Sequence, residues 1–302
     1  MNRRSFLKNT TASGIALWLP VPSILETEEL TKLTILHTND VHSRIDPFPA
    51  NSGSRAGMGG AARRYQLIQE VRAKEEQVLL LDSGDIFQGT PYFNYFQGEL
   101  EIKLMEQMKY DAATIGNHDF DGGADGLVKQ MQQASFPLIN CNYTIEHEGL
   151  HQITKPYMIL QKGPIKVGIL GVGIELDGLV PEKLIANTRY NDPIKTAQPI
   201  ATFLKEEEKC DLIICLSHLG YKYKNEKVSD IVLAKSTRHI DLILGGHTHN
   251  FLKQPDVQKN IEGQPVIINQ VGWGGVWMGR FDLLFEKNKP GKCLNCQPLL
   301  VS

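Results

Sequence analysis

Short runs of consecutive apolar residues recur along this chain, and amphipathic stretches separate them. "LTILHTND", "VLLLDSGD", "AATIGNHD" and "FPLINCNY" read as strands, with "AARRYQLIQEVRA", "LEIKLMEQMK" and "GLVKQMQQA" as the helices between them. The pattern then repeats as "IKVGILGVG", "PIATFLKEEE", "DLIICLSHLG", "VLAKS" and "IDLILGGHTH", followed by strand-like "PVIINQVG" and "GRFDLLF". Strands apolar on both faces must be covered on both faces, so the order predicts a layered α/β domain. The duplication of the pattern predicts two packed mixed β-sheets flanked by helices, a four-layer α/β/β/α sandwich.

Almost every one of these strands ends in polar residues of one chemical kind: Asp40 and His42, Asp85, Asn117 with His118, His218, then His247 and His249. Sites in α/β sheets lie at the carboxyl ends of strands. One such residue would serve as a turn former or cap, but five strand ends of metal-binding character point to a centre. In "GGHTH", residues i and i+2 face the same side if the extended path continues past Gly245 and Gly246, whose lack of a side chain lets the backbone come close. Imidazole and carboxylate without thiolate suit Zn, Mn, Fe or a related ion rather than the all-oxygen cage of calcium. So many side chains exceed what one tetrahedral ion takes, and a binuclear centre with one bridging carboxylate uses them well. With Asp40 and Asp85 as its only anionic protein ligands, such a centre carries net positive charge and attracts phosphate.

"DVH", "GD", "GNHDFD", "SHLG" and "GGHTH" occur in the order and spacing of the calcineurin-like metallophosphoesterases, and the chain most resembles the catalytic domain of the 5′-nucleotidase branch. "LHTNDVHSRI", "GGAARR" and "DSGDIFQGTP" support the resemblance, which runs from about Leu33 to Phe285. It implies that Asp40, His42 and His249 hold one divalent ion and Asn117, His218 and His247 a second, with Asp85 bridging. Zn or Mn is expected, with Fe or Co as alternatives. It further implies a catalytic dyad of His118 and Asp121, and hydrolysis of phosphomonoesters, nucleoside 5′-phosphates foremost, by in-line attack of a hydroxide held at the centre. Two alternatives stay open: a noncatalytic metal-binding or envelope protein on the same fold, and a phosphodiesterase acting on cyclic nucleotides or UDP-sugars. In the two-domain nucleotidases a C-terminal domain grips the nucleoside, whereas this sequence stops at Ser302. A separate nucleoside-binding protein is therefore an expected partner, beside the small phosphorylated substrate.

Composition changes this picture little. The chain has 302 residues, 41 % hydrophobic and 22 % charged, enough for one large core, and a formal charge of −2 that suggests neither a nucleic acid polymer nor a membrane surface as partner. The N-terminus is distinct: "NRRSFLK" precedes a modest apolar stretch too short and proline-broken to span a bilayer, and it resembles a twin-arginine export signal. Residues 1–27 are read as that signal, 28–287 as the catalytic domain and 288–302 as a tail, in a periplasmic or extracellular protein. Loss of residues 1–25 would remove three basic and no acidic residues, taking the net charge from −2 to −5. Cys141, Cys210 and Cys215 are expected as buried apolar residues, the five cysteines do not suggest a disulfide framework, and Cys293 with Cys296 form only a weak zinc or redox motif. His37, His147, His151 and His239 are assigned to surface or supporting positions.

Overall fold

Strand β1 (Thr31–Thr38) is apolar on both faces: Leu33 and Ile35 join one buried cluster and Leu36 another. In β2 (Val78–Asp82), Leu79 and Leu81 divide from Leu80 in the same way. Side chains of period two on a sheet covered from both sides require this split. Further along come β3 (Ala112–Ala113), β4 (Leu138–Ile139), β5 (Tyr143–Thr144), β6 (Thr154–Lys155), β7 (Tyr157–Lys162), β8 (Ile165–Gly173), β9 (Arg189–Tyr190), β10 (Leu212–His218), β11 (Leu242–Gly245), β12 (Asp256–Lys259), β13 (Pro265–Asn269), β14 (Trp277–Phe285) and β15 (Lys292–Leu300). The computed structural model describes residues 30–286 and 292–302. The residues read as an export signal lie outside these.

Seven strands form one sheet in the order β15-β14-β1-β2-β3-β4-β6, and six form a second in the order β12-β13-β11-β10-β8-β7. Both are mixed. In the first, β1, β2, β3, β4 and β6 run parallel, β14 pairs antiparallel with β1, and β15 antiparallel with β14; in the second, β8, β10, β11 and β13 run parallel between antiparallel β7 and β12. Ile35, Leu79 and Leu81 meet Val167, Ile214, Leu216 and Leu244 between the sheets. Outside the first sheet, Leu36 and Leu80 share a cluster with Ile68 and Val71 of the helix Ala61–Arg72 and with Ile102 of Glu99–Met108. Outside the second, Ile213, Cys215 and Ile243 share one with Ala197, Ala201 and Leu204 of the helix Pro193–Glu206. That is the expected four-layer arrangement. Asp192 starts the last of these helices, its carboxylate accepting the Ile194 amide at 2.9 Å with Pro193 in the first turn.

Three readings from sequence change. Residues 292–300, placed in a tail, form the edge strand β15 against β14. Cys296, expected only in a weak zinc or redox motif outside any disulfide framework, is disulfide-bonded, while Cys141, Cys210 and Cys215 are free and Cys210 and Cys215 are buried as anticipated. His37 is neither on the surface nor beside a ligand. It is fully buried, stacked on Phe281 at 5.9 Å and bonded through Nε2 to the Asn269 amide at 3.0 Å, against Gly279, where no larger residue would fit. His147 and His239 face Asp125 and Glu206 at the surface, and His151 is exposed.

Burial pushes His37 down to about 3 from the ordinary 6.5. The unfolded chain therefore takes up this proton first as pH falls. The stability held by neutral His37 is complete above about 6.5 and is lost progressively as pH drops toward 3. Urea denaturation at pH 7 and pH 5 should show a steeper loss in the wild type than in His37→Gln, whose amide does not titrate.

Candidate metal centre

Parallel strands β1, β2 and β3 of the first sheet and β10 and β11 of the second deliver their carboxyl ends to one edge of the sandwich. Asp40 and His42 follow β1, Asp85 follows β2 and Asn117 follows β3; His218 closes β10, and His247 and His249 follow β11. Five of these seven, Asp40, His42, Asp85, His247 and His249, take positive φ between 50° and 73°. Side-chain-bearing residues rarely adopt that region, and such strain persists where surrounding structure fixes it. Here the loops tie one another down: the Asp40 amide donates to the Gly84 carbonyl at 2.9 Å, and the His42 amide to that of Asp85 at 3.0 Å. The extended path of β11 ends at Gly245, so His247 and His249 do not share a side as strand residues would; they join different groups of donors.

The structure brings all seven residues together. Asp40, His42, Asp85 and His249 form one cluster of donor atoms, and Asp85, His218 and His247 a second, with Asp85 common to both. His249 Nε2 lies 3.1 Å from His42 Nε2 and 3.2 Å from Asp40 Oδ1. In the second cluster His218 Nε2 lies 3.1 Å from Asp85 Oδ2, and His247 Nδ1 lies 2.9 Å from Asn117 Oδ1. Donors at this spacing suit ligands held about 2 Å from a shared ion.

Three features fit the residues to divalent cations. His218 Nδ1 donates to the Ser83 carbonyl at 2.6 Å, turning Nε2 to the centre, the support that ligating histidines receive. That Nε2 is buried and, although close to Asp85, makes no well-aligned hydrogen bond. The third feature is charge: burial alone would lower His218, but the Asp85 carboxylate overrides it and raises its pKa to about 10. Asp85 is held well below the usual carboxylate range against the pull of burial, first by His218, then by His42 and His118. His247 falls to about 4 through burial and repulsion from His218. Buried carboxylates that draw this strongly on neighbouring protons are suited to cations.

His118 stands at the rim. Its ring centroid is 5.2 Å from that of His42, and its Nδ1 meets Asp121 Oδ2 at 2.8 Å. That hydrogen bond raises the His118 pKa against the effect of burial, and the Asp85 charge adds to it. The His118 backbone amide donates to Asp85 Oδ1 at 2.8 Å, so a single short turn fixes both the shared carboxylate and the His118–Asp121 pair.

Glycines clear the space. A Cβ on Gly246 would lie 2.9 Å from His218 Nδ1 and from the Ser83 carbonyl, and one on Gly116 would overlap the Asp85 carboxylate. Several supporting residues escaped the sequence reading. Asp119, buried inside "GNHDFD", accepts backbone N–H groups from Gly116 at 2.7 Å, Ile86 at 2.8 Å and Asp85 at 3.1 Å, and so braces the turn that presents Asp85. Asn39 donates to Asp40 Oδ2 at 2.6 Å. Gln270 reaches from just past β13 to the Gly246 carbonyl at 2.7 Å, and Trp273 stacks on His249 at 5.9 Å. "NQ" at the end of "PVIINQ" is another polar strand end, and the rule applied to the other strands would have found Gln270.

The sequence profile of the Calcineurin-like phosphoesterase family matches residues 33–251. The chain is 32 % identical to human 5'-nucleotidase, over 96 % of this chain and 52 % of that protein. It is also 32 % identical to the trifunctional nucleotide phosphoesterase protein YfkN of Bacillus subtilis, over 85 % of this chain and 18 % of YfkN. Among solved structures, the 5'-nucleotidase precursor from Thermus thermophilus superposes with a TM-score of 0.80 at 30 % identity, covering 89 % of this chain and 54 % of that one. The chain thus spans about half the length, or less, of the curated relatives it matches. The motifs at the strand ends, the donor clusters they build and the matched profile agree, and the chain belongs to the calcineurin-like phosphoesterase family.

Proposed function

We propose that this protein hydrolyses phosphomonoesters, nucleoside 5′-phosphates foremost, at a centre of two divalent ions, Zn or Mn with Fe or Co as alternatives. The observation that carries the reading is Asp85, common to two clusters of metal-type donors, with the His118–Asp121 pair on the turn whose backbone amide the Asp85 carboxylate accepts. Asp40, His42 and His249 would hold one ion, Asn117, His218 and His247 the other, and Asp85 both. Such ions supply Lewis acidity toward phosphoryl oxygens and a nucleophilic hydroxide near neutral pH. His118, its Nδ1 held by Asp121, keeps Nε2 as the atom that hands a proton to the departing alkoxide. Its raised pKa favours the protonated form that this role needs.

The names of the 5'-nucleotidase relatives, and of YfkN as a trifunctional nucleotide phosphoesterase, favour nucleotides as substrates. Purified, metal-analysed protein should be assayed against nucleoside monophosphates, cyclic nucleotides, UDP-sugars and bis(p-nitrophenyl) phosphate. Turnover of the monophosphates is expected to exceed that of the diesters. The reverse order would replace the monoesterase reading with the diesterase one.

Export is part of the proposal. Among the described residues no helix is long and apolar enough to cross a membrane. The Arg3-Arg4 pair supports translocation of the folded protein to the periplasm or beyond. Replacing Arg3 and Arg4 together by lysine should retain the protein in the cytoplasm, as read by cell fractionation. An unchanged exported yield would remove the twin-arginine reading.

A further inference from the structure

Just beyond His42 the chain passes through Arg44, Asp46, Pro47 and Pro49, and facing it is the short helix Pro91–Phe96. The cleft between them has a volume of about 720 Å³ and is walled largely by the rings of Tyr92, Tyr95, Phe96 and three prolines. Small-molecule sites fall between roughly 300 and 1,000 Å³ and carry a few placed polar groups among apolar walls. Two of the rings are open to solvent: Tyr95 is 82 % exposed and Phe96 47 %. The wall behind them is braced, because the Tyr92 hydroxyl donates to Asp46 Oδ2 at 2.6 Å and Thr90 Oγ1 to the Ser43 carbonyl at 2.8 Å. Tyr92 also stacks on Phe96, with centroids 6.4 Å apart.

The segments that wall the cleft are continuous with loops of the candidate centre: Arg44 is two residues beyond His42, and Thr90 bonds to the Ser43 carbonyl. Gly89, next to Thr90, lies so close to His42 that a Cβ there would be 3.0 Å from the His42 Cβ. Phe93, on the inner side of the same helix, reaches to 3.7 Å from where Gly122 would carry a Cβ, next to Asp121. Arg44 brings positive charge to the cleft, its guanidinium 4.2 Å from the Phe48 ring centroid and its buried Nε without a hydrogen-bond partner.

We propose that this cleft receives the ring of the group that departs from phosphorus, a nucleobase or another aryl group, stacked on Tyr95 and Phe96. The inference rests on the phosphoesterase reading and adds to it a source of substrate selection within the described residues. Stacking accepts any planar ring, so selection for ring-bearing esters as a class is expected, with little preference among bases.

The test compares kcat/KM for AMP and phenyl phosphate with kcat/KM for glycerol 2-phosphate, which has no ring. In Tyr95→Ala the ratio of ring-bearing to ringless ester should fall about tenfold, chiefly through KM, as the loss of one stacking contact implies. Tyr95→Phe should restore it. A ratio unchanged in both Tyr95→Ala and Phe96→Ala overturns the proposal. Binding of adenosine, which carries no phosphate, to the whole protein by saturation-transfer NMR gives a readout independent of hydrolysis. A signal in the wild type that Tyr95→Ala removes supports the cleft, even if no ester is hydrolysed and the phosphoesterase reading has to be abandoned. No adenosine signal in the wild type overturns the cleft whatever the hydrolysis shows.

Discussion

Asp85→Ala protein should retain less than one equivalent of bound metal after dialysis, against about two in the wild type, whereas His249→Ala should lose mainly one. The difference follows from position. Asp85 Oδ2 lies 3.1 Å from His218 Nε2 and 3.7 Å from His42 Nε2, so among the described residues it is the carboxylate that belongs to both donor clusters. Its removal also leaves the two donor clusters with Asp40 as their remaining carboxylate. Removing one partner from a buried charge pair costs about 3–5 kcal/mol, which is roughly two to four orders of magnitude in affinity. His249 belongs to one cluster only, and its side chain is 38 % exposed. Its loss should leave the cluster of Asp85, His218 and His247 filled. Elemental analysis of the three proteins decides the matter: an Asp85→Ala protein that holds two equivalents as tightly as the wild type would show that Asp85 is not shared.

How far the sequence went depended on whether side-chain identity alone carried the signal. Leu33, Ile35 and Leu36 in one strand and Leu79 to Leu81 in the next already require two covered faces, because period-two alternation sends neighbours to opposite sides. Hence the four layers were legible. The polar residues at strand ends were legible for the same reason, since apolar runs stop where the sheet stops. What was hidden depends on backbone conformation and on long-range contact. The spacing of His247 and His249 reads as i and i+2 on an extended strand, and the left-handed φ values of 73° and 55° that send them to the different clusters implied by the family resemblance are not visible in it. Nothing local in "GNHDFD" shows that the Asp119 carboxylate, two residues before Asp121, collects backbone amides from the loop after β2. His37 looked like a surface or supporting residue, although its place in an apolar strand makes it a core residue with a partner 232 positions away. "KCLNCQPLL" has too few consecutive apolar residues to read as a strand, and it becomes one only because β14 offers an edge.

His118→Ala should lower kcat by roughly 10²–10⁴-fold, the usual worth of a general acid, while keeping the wild-type metal content. The two readouts separate because His118 touches the centre in two ways. Its backbone amide donates to Asp85 Oδ1 and survives the substitution, whereas the imidazole, bound to Asp121 at 2.8 Å, is lost. A residue that acts on the transition state lowers turnover without emptying the site. Asp121→Asn should cost less, because the ring remains and only its orientation and basicity change. The pH profile gives the finer test. The hydrogen bond to Asp121 is the largest cause of the raised His118 pKa, so weakening it lets the imidazolium lose its proton at lower pH. In Asp121→Asn the high-pH limb of kcat should therefore shift toward acid, a change that a merely structural role for the pair would not produce. Near-normal turnover in His118→Ala with full metal content would assign the ring to support of the fold rather than to proton transfer.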